Sequence, residues 1–223
     1  MKKALISKAL IKYFAGLLII MILVFLPAGS LKFINGWLFI GLLFIPMFIM
    51  GIVMLFKNPA LLEKRLNTKE KEKEQRGVVA VSGIMFLSGF IIAGLDHRFG
   101  WLSLHPIVII IASAVFLLSY AMYAEVLREN TYLSRTIEVQ KSQKVIDTGL
   151  YGIVRHPMYS ATILMFLSIP LVLGSLFSFL IFLIYPFAIA FRIKNEETVL
   201  ENGLEGYAEY KKKVKYRLIP FIW

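Results

Sequence analysis

An all-α polytopic membrane protein with about six transmembrane helices is what this sequence predicts, on three observations. Hydrophobic residues fill 58% of its 223 positions and charged residues only 17%, against about 25% charged in a soluble domain; the mean hydropathy is +0.73. The apolar residues gather into runs long enough for a bilayer core of about 30 Å, which takes roughly 20 helical residues. Of the 25 Lys and Arg, 23 fall in alternate connections, so they all lie on one side of the membrane once the runs are threaded as helices.

Apolar runs at 13–28, 37–56, 78–95 and 104–127 each predict one span. The stretch 161–191 is too long for one helix, and Pro170, Gly174 and Ser175 interrupt it. Two short helices joined by a tight turn follow, giving six spans in all. Lys2, Lys3, Lys8 and Lys12 before the first run, and Pro27-Ala28-Gly29-Ser30 after it, resemble a signal peptide. The later spans favour a retained first helix.

Charge orients the bundle. The N-terminus, the 57–76 loop, the 128–155 loop and the tail from Arg192 carry the basic residues, and only Lys32 and Arg98 fall opposite. The positive-inside rule then predicts that both termini and both long loops are cytoplasmic. The formal charge of +11 is accounted for by this topology and by anionic headgroups. No basic stripe with interleaved stacking aromatics suggests nucleic acid as a partner.

Cysteine is absent, which excludes disulfides, thiolate metal sites and a cysteine nucleophile. His97, His105 and His156 are not spaced as metal ligands. The "NTKEKEKEQR" stretch at 67–76 alternates Lys and Glu with no apolar face, as a solvated helical extension or loop does.

The loop 128–159 is richer. Its 137–139 and 145–146 pieces suit short extended or membrane-facing segments, and Asp147-Thr148-Gly149 is a turn signal. His156-Pro157 then suits the start of the fifth span, because proline is favoured in a first helical turn and the free N–H groups there attract anions. Beyond the sixth span, Arg192 and Glu196 stand four apart and share a face if the helix continues, with Glu197 turned aside. Glu125 is placed to pair with Arg128, and Pro186 to kink the sixth helix.

"TGLYGIVRHPMY" from Thr148, "RIKNEE" from Arg192, "GYAEYKKKV" from Gly206 and the final Ile219-Pro220 together resemble the C-terminal signature of the integral membrane methyltransferases that include isoprenylcysteine carboxyl methyltransferase and the phospholipid N-methyltransferases. The resemblance covers roughly 132–220. The usual Gly-Glu-Glu-Tyr element stands here as Leu204-Glu205-Gly206-Tyr207, and the glutamate-rich run is reduced to Asn195-Glu196-Glu197.

The resemblance implies one methyltransferase domain over 1–223, with four N-terminal spans (1–127) and a cofactor-binding loop, helical hairpin and tail (128–223). It implies that S-adenosylmethionine is held by Gln140, Gln143, Lys144, Val145, Ile146, Tyr151, His156, Pro157, Met158, Tyr159 and Glu196, and that Arg192 orients the substrate. The chemistry agrees: a sulfonium with an amino-acid arm wants a carboxylate, an aromatic face and the free donors of a helix start. A soluble fold for this cofactor would need a glycine-rich turn, and no G-x-G-x-x-G occurs.

The expected reaction is carboxyl O-methylation of an isoprenylcysteine-like lipophilic substrate entering from the bilayer. Alternatives are N-methylation of a phosphatidylethanolamine headgroup, in which Glu197 or His156 would serve as base, and an NADPH-dependent sterol-type reduction. A transporter or scaffold would call for ionisable groups within the spans or inverted repeats.

Overall fold

The computed structural model describes residues 2–66, 73–133, 139–140 and 142–223, with the side chains of residues 2 and 73–76 left aside. The described residues form helices and turns and no strand. The helices are α1 (Lys2–Ala28), α2 (Ile34–Lys57), α3 (Pro59–Leu66), α4 (Lys73–Phe99), α5 (Pro106–Glu129), α6 (Pro157–Val172), α7 (Leu176–Phe182), α8 (Ile184–Gly203) and α9 (Tyr207–Lys213). Most of the 67–76 stretch and most of the 137–139 piece lie outside the described residues.

Five segments are long and apolar enough to cross a membrane: α1, α2, α4 from Gly77, α5, and α7 with α8 as Leu176–Gly203. This is the architecture of a multi-pass membrane protein. The expected fifth span is the shorter apolar helix α6. α6 has 16 residues, so at 1.5 Å per residue it reaches only about 24 Å. Pro157 opens it at the polar loop, and at its far end Gly174, at φ 81°, turns the chain back into α7.

Two further differences have local causes. Pro186 falls in the first turn of α8, just after the break at Leu183, so it starts a helix and does not kink one. α3 was hidden in a loop too charged to read as helical. Its signal is Asn58-Pro59: the Asn58 Oδ1 accepts from Leu61 N at 3.1 Å, proline fills the first helical position, and Leu61 and Leu62 are buried below.

The turns 29–33, 100–105 and 173–175 gather at one end of the bundle. Phe33 stacks on His97 at 4.1 Å between ring centroids, and Trp101 meets Phe177 edge-on at 5.7 Å. The described parts of the long loops and the tail gather at the other end, where Lys64 Nζ donates to Gln140 Oε1 at 2.5 Å. Glu125 pairs with Arg128 there as expected.

Side chains facing lipid gain nothing from burial, so such helices are held by close packing. Gly94 lets α4 lie against the backbone of α1, where an added Cβ would stand 2.7 Å from Val24 O and 2.9 Å from Ala28 N. Gly89 receives the Phe182 ring of α7, and Ser178 Oγ donates to Gly89 O at 2.8 Å. Phe39, Phe116 and Phe182 fill the centre with no exposed surface.

Gly94→Ala is expected to destabilise the bundle by about 1–3 kcal/mol, because the methyl meets backbone that cannot yield locally. Gly16→Ala, with no atom within 4 Å of its new Cβ, is the matched control. Unfolding of both in detergent micelles measures the difference.

Candidate functional site

The site is assembled by one buried carboxylate. Glu197, on α8, is 3% exposed. Its Oε1 accepts from Arg155 Nε at 2.7 Å and lies 3.3 Å from His156 Nε2; its Oε2 accepts from Arg217 Nε at 2.9 Å. Arg155 also donates through Nη1 to the carbonyls of Val214 and Lys215, each at 2.7 Å. The main chain follows the same path, with Arg155 N donating to Tyr216 O and His156 N to Arg217 O, both at 2.9 Å. Loop, helix and tail are thereby fastened together, and Glu197, bound by this set of donors, is no free base.

Beside this cluster lies a cavity of ≈110 Å³. Gln143, Lys144, Val145, Ile146, Tyr151, His156, Met158, Tyr159, Arg192 and Glu196 all line it. Pro157 is buried at the start of α6. Gln140 sits behind the wall, where it donates to Tyr132 O and its backbone N–H donates to Gln143 Oε1 at 2.9 Å. Arg155, Tyr207 and Tyr210 also line the cavity, and sequence reasoning left them out. The tyrosines had a signal: they stand three apart on a helix whose other residues are mostly charged, so they share one face.

The aromatic wall is kept neutral by burial. Tyr151 Oη accepts from Asn130 Nδ2 at 3.0 Å, and Tyr210 Oη donates to the Tyr151 carbonyl at 2.7 Å. Burial pushes the hydroxyls of Tyr151, Tyr207 and Tyr210 well above their ordinary range.

A second cavity of ≈690 Å³ runs between α2, α4, α5, α6 and α8. Its wall is mostly apolar, including Met47, Met54, Phe86, Met165, Phe166 and Ile189, and among the described residues its charged members are Arg65 and Arg192, with no carboxylate. Arg65 is held there by the Tyr123 hydroxyl and lies over that ring at 5.6 Å.

The two cavities share Met158, Tyr159 and Arg192. At this junction Arg192 Nε donates to Tyr159 Oη at 2.9 Å, and Tyr159 Oη donates to Glu196 Oε2 at 2.5 Å. Arg192 and Glu196 therefore do share a face of α8, with the Tyr159 hydroxyl between them. Among the described residues no group of three or more His, Cys, Asp or Glu is placed to hold a metal ion.

Residues 105–205 match the family described as phospholipid methyltransferase, within the wider group of membrane methyltransferases that the sequence resembles. The match takes in both sides of the cavity junction and ends just before α9. The chain is also 30% identical to the mouse Delta(14)-sterol reductase TM7SF2 over 91 residues, which is 40% of this chain and 22% of that protein. The chain thus spans about a fifth of the length of that curated relative.

Glu197→Gln is expected to cost about 3–5 kcal/mol, since it leaves the buried Arg155 without its counter-charge. Unfolding in detergent measures it, with the exposed Glu205→Gln as control. A second expectation concerns pH. The raised tyrosines favour the fold fully below the unfolded tyrosine pKa of about 10, and this contribution is lost as pH rises past it toward the folded values. Tyrosinate absorbance at alkaline pH is expected to rise for these three together with loss of helix, not before it.

Proposed function

We propose that this protein transfers a methyl group from S-adenosylmethionine to a lipophilic acceptor, the favoured one being the carboxylate of an isoprenylcysteine-like molecule; the match of residues 105–205 to the phospholipid methyltransferase family supports this reading. The observation that carries this reading is the junction: a small polar, aromatic cavity and a large apolar one meet at Tyr159 and Arg192. Group transfer between a polar donor and a lipid acceptor needs such a meeting point.

The residues of the small cavity fit the donor. Glu196 offers a carboxylate to a cationic group, Tyr151 an aromatic face to a sulfonium, and the start of α6 the positive end of its helix dipole to an anion. Bound there, S-adenosylmethionine would supply an electrophilic methyl group.

The rest falls to the chain. Arg192 would grip the acceptor carboxylate through paired hydrogen bonds while the lipid chain lies along the apolar wall. A carboxylate needs no base, so the protein's contribution is alignment, which is worth several kcal/mol when reacting groups are held in register. An amine acceptor suits the site less well. It would enter a cavity whose described charges are two arginines, and Glu197, one of the two bases expected for it beside His156, is already bound by cations. By the basic residues at that end of the bundle, the small cavity opens to the cytoplasm.

The likeness to a sterol reductase supports one other reading, a nicotinamide-dependent reduction in the same cavities. Calorimetry on the detergent-purified protein separates the two. S-adenosylmethionine is expected to bind, and Glu196→Gln to weaken it by about 2 kcal/mol, roughly thirtyfold. NADPH binding without S-adenosylmethionine binding would sink methyl transfer and favour reduction.

A further inference from the structure

The tail contributes one hydroxyl that the fold does not use. Tyr207, the first residue of α9, is 4% exposed and lines the ≈110 Å³ cavity. Its Oη is buried and has no hydrogen-bond partner among the described residues. The other tyrosines of that wall differ: the hydroxyls of Tyr132, Tyr151, Tyr159 and Tyr210 are each bonded.

Packing does not require this oxygen. The Tyr207 ring rests against Tyr210 at 5.8 Å between centroids, and a phenylalanine would fill the same space without burying an unpaired donor. Native folds rarely bury a hydroxyl unpaired without reason. Here the reason available is a ligand, since the ring lines a cavity and the hydroxyl lies in the field of Glu197 and Glu196. Burial first, and those carboxylates after it, keep it protonated, hence a donor. Gly206, at φ 81°, makes the turn that brings α9 to this wall.

Resting on the methyl-transfer reading, we infer that Tyr207 is a cofactor-binding residue whose hydroxyl donates to the carboxylate of the donor's amino-acid arm, beside Glu196. The arm carries an ammonium and a carboxylate, so it needs an acceptor and a donor side by side. Glu196 and Tyr207 supply one of each. Tyr207 lies beyond the 105–205 match, so this contact belongs to the tail of this chain.

The test is calorimetric binding of S-adenosylmethionine, S-adenosylhomocysteine and 5′-methylthioadenosine, which lacks the arm, to the full-length wild type, Tyr207→Phe and Tyr210→Phe, with ligand-free melting curves. Tyr207→Phe is expected to weaken the first two about tenfold, to leave 5′-methylthioadenosine unchanged, and to melt without ligand at or above the wild-type temperature. Tyr210→Phe, which loses the bond to Tyr151 O, is expected to melt lower. Unchanged binding by Tyr207→Phe, an equal loss for 5′-methylthioadenosine, or a lower ligand-free melting temperature for Tyr207→Phe would each overturn the inference. If the wild type binds none of the three ligands, the methyl-transfer reading itself falls and takes the inference with it.

Discussion

Three stretches of chain that are far apart in sequence meet on the carboxylate of Glu197, and the polar end of the molecule is arranged around that contact. Arg155 comes from the loop before α6, Arg217 from the tail, and Glu197 from the end of α8. A buried ion pair is not in itself a strong source of net stability, because desolvation offsets most of the attraction. Its effect is on specificity. A position of the loop or tail that left Arg155 or Glu197 buried without its partner would be costly, so the cluster favours the arrangement in which the three stretches meet.

That selection shapes both cavities. With α8 fixed at Glu197, the preceding turn of the same helix presents Glu196 to the small cavity and Arg192 to the junction, and Tyr159 of α6 bridges them. A change in the polar cavity can thus reach the apolar one across a single hydroxyl. The apolar wall asks little of individual residues, whereas the junction depends on three side chains whose rotamers are set by their hydrogen bonds.

The helices were legible because each is long enough to be solvated by lipid, so its composition speaks without reference to partners. The break at Gly174 and the start of α6 at Pro157 were legible for the same local reasons. Arg192 and Glu196 could be paired by spacing alone, and most of the loop residues suggested by resemblance do line one cavity. Arg155 was not legible. In sequence it is one more basic residue on the expected side, and only the fold turns it inward onto a carboxylate 42 positions away. The tail tyrosines were passed over likewise, since two aromatics there can serve simply to pack the tail against the loop. α3 was missed because its two buried leucines sit in a charged loop and need α2 and α5 before they have anything to cover.

The anchoring of the tail also bears on the order in which the molecule can be built. Ribosomes deliver the chain from its N-terminus at about 5–20 residues per second, and all the apolar helices emerge before Arg217. Until that residue arrives, Glu197 lacks one of its cations and the loop at 155–156 lacks the carbonyls on which it rests. The bilayer-embedded bundle is therefore complete as an apolar object before its polar end can close, and a chain halted short of the last turns would be inserted, compact and without a finished site.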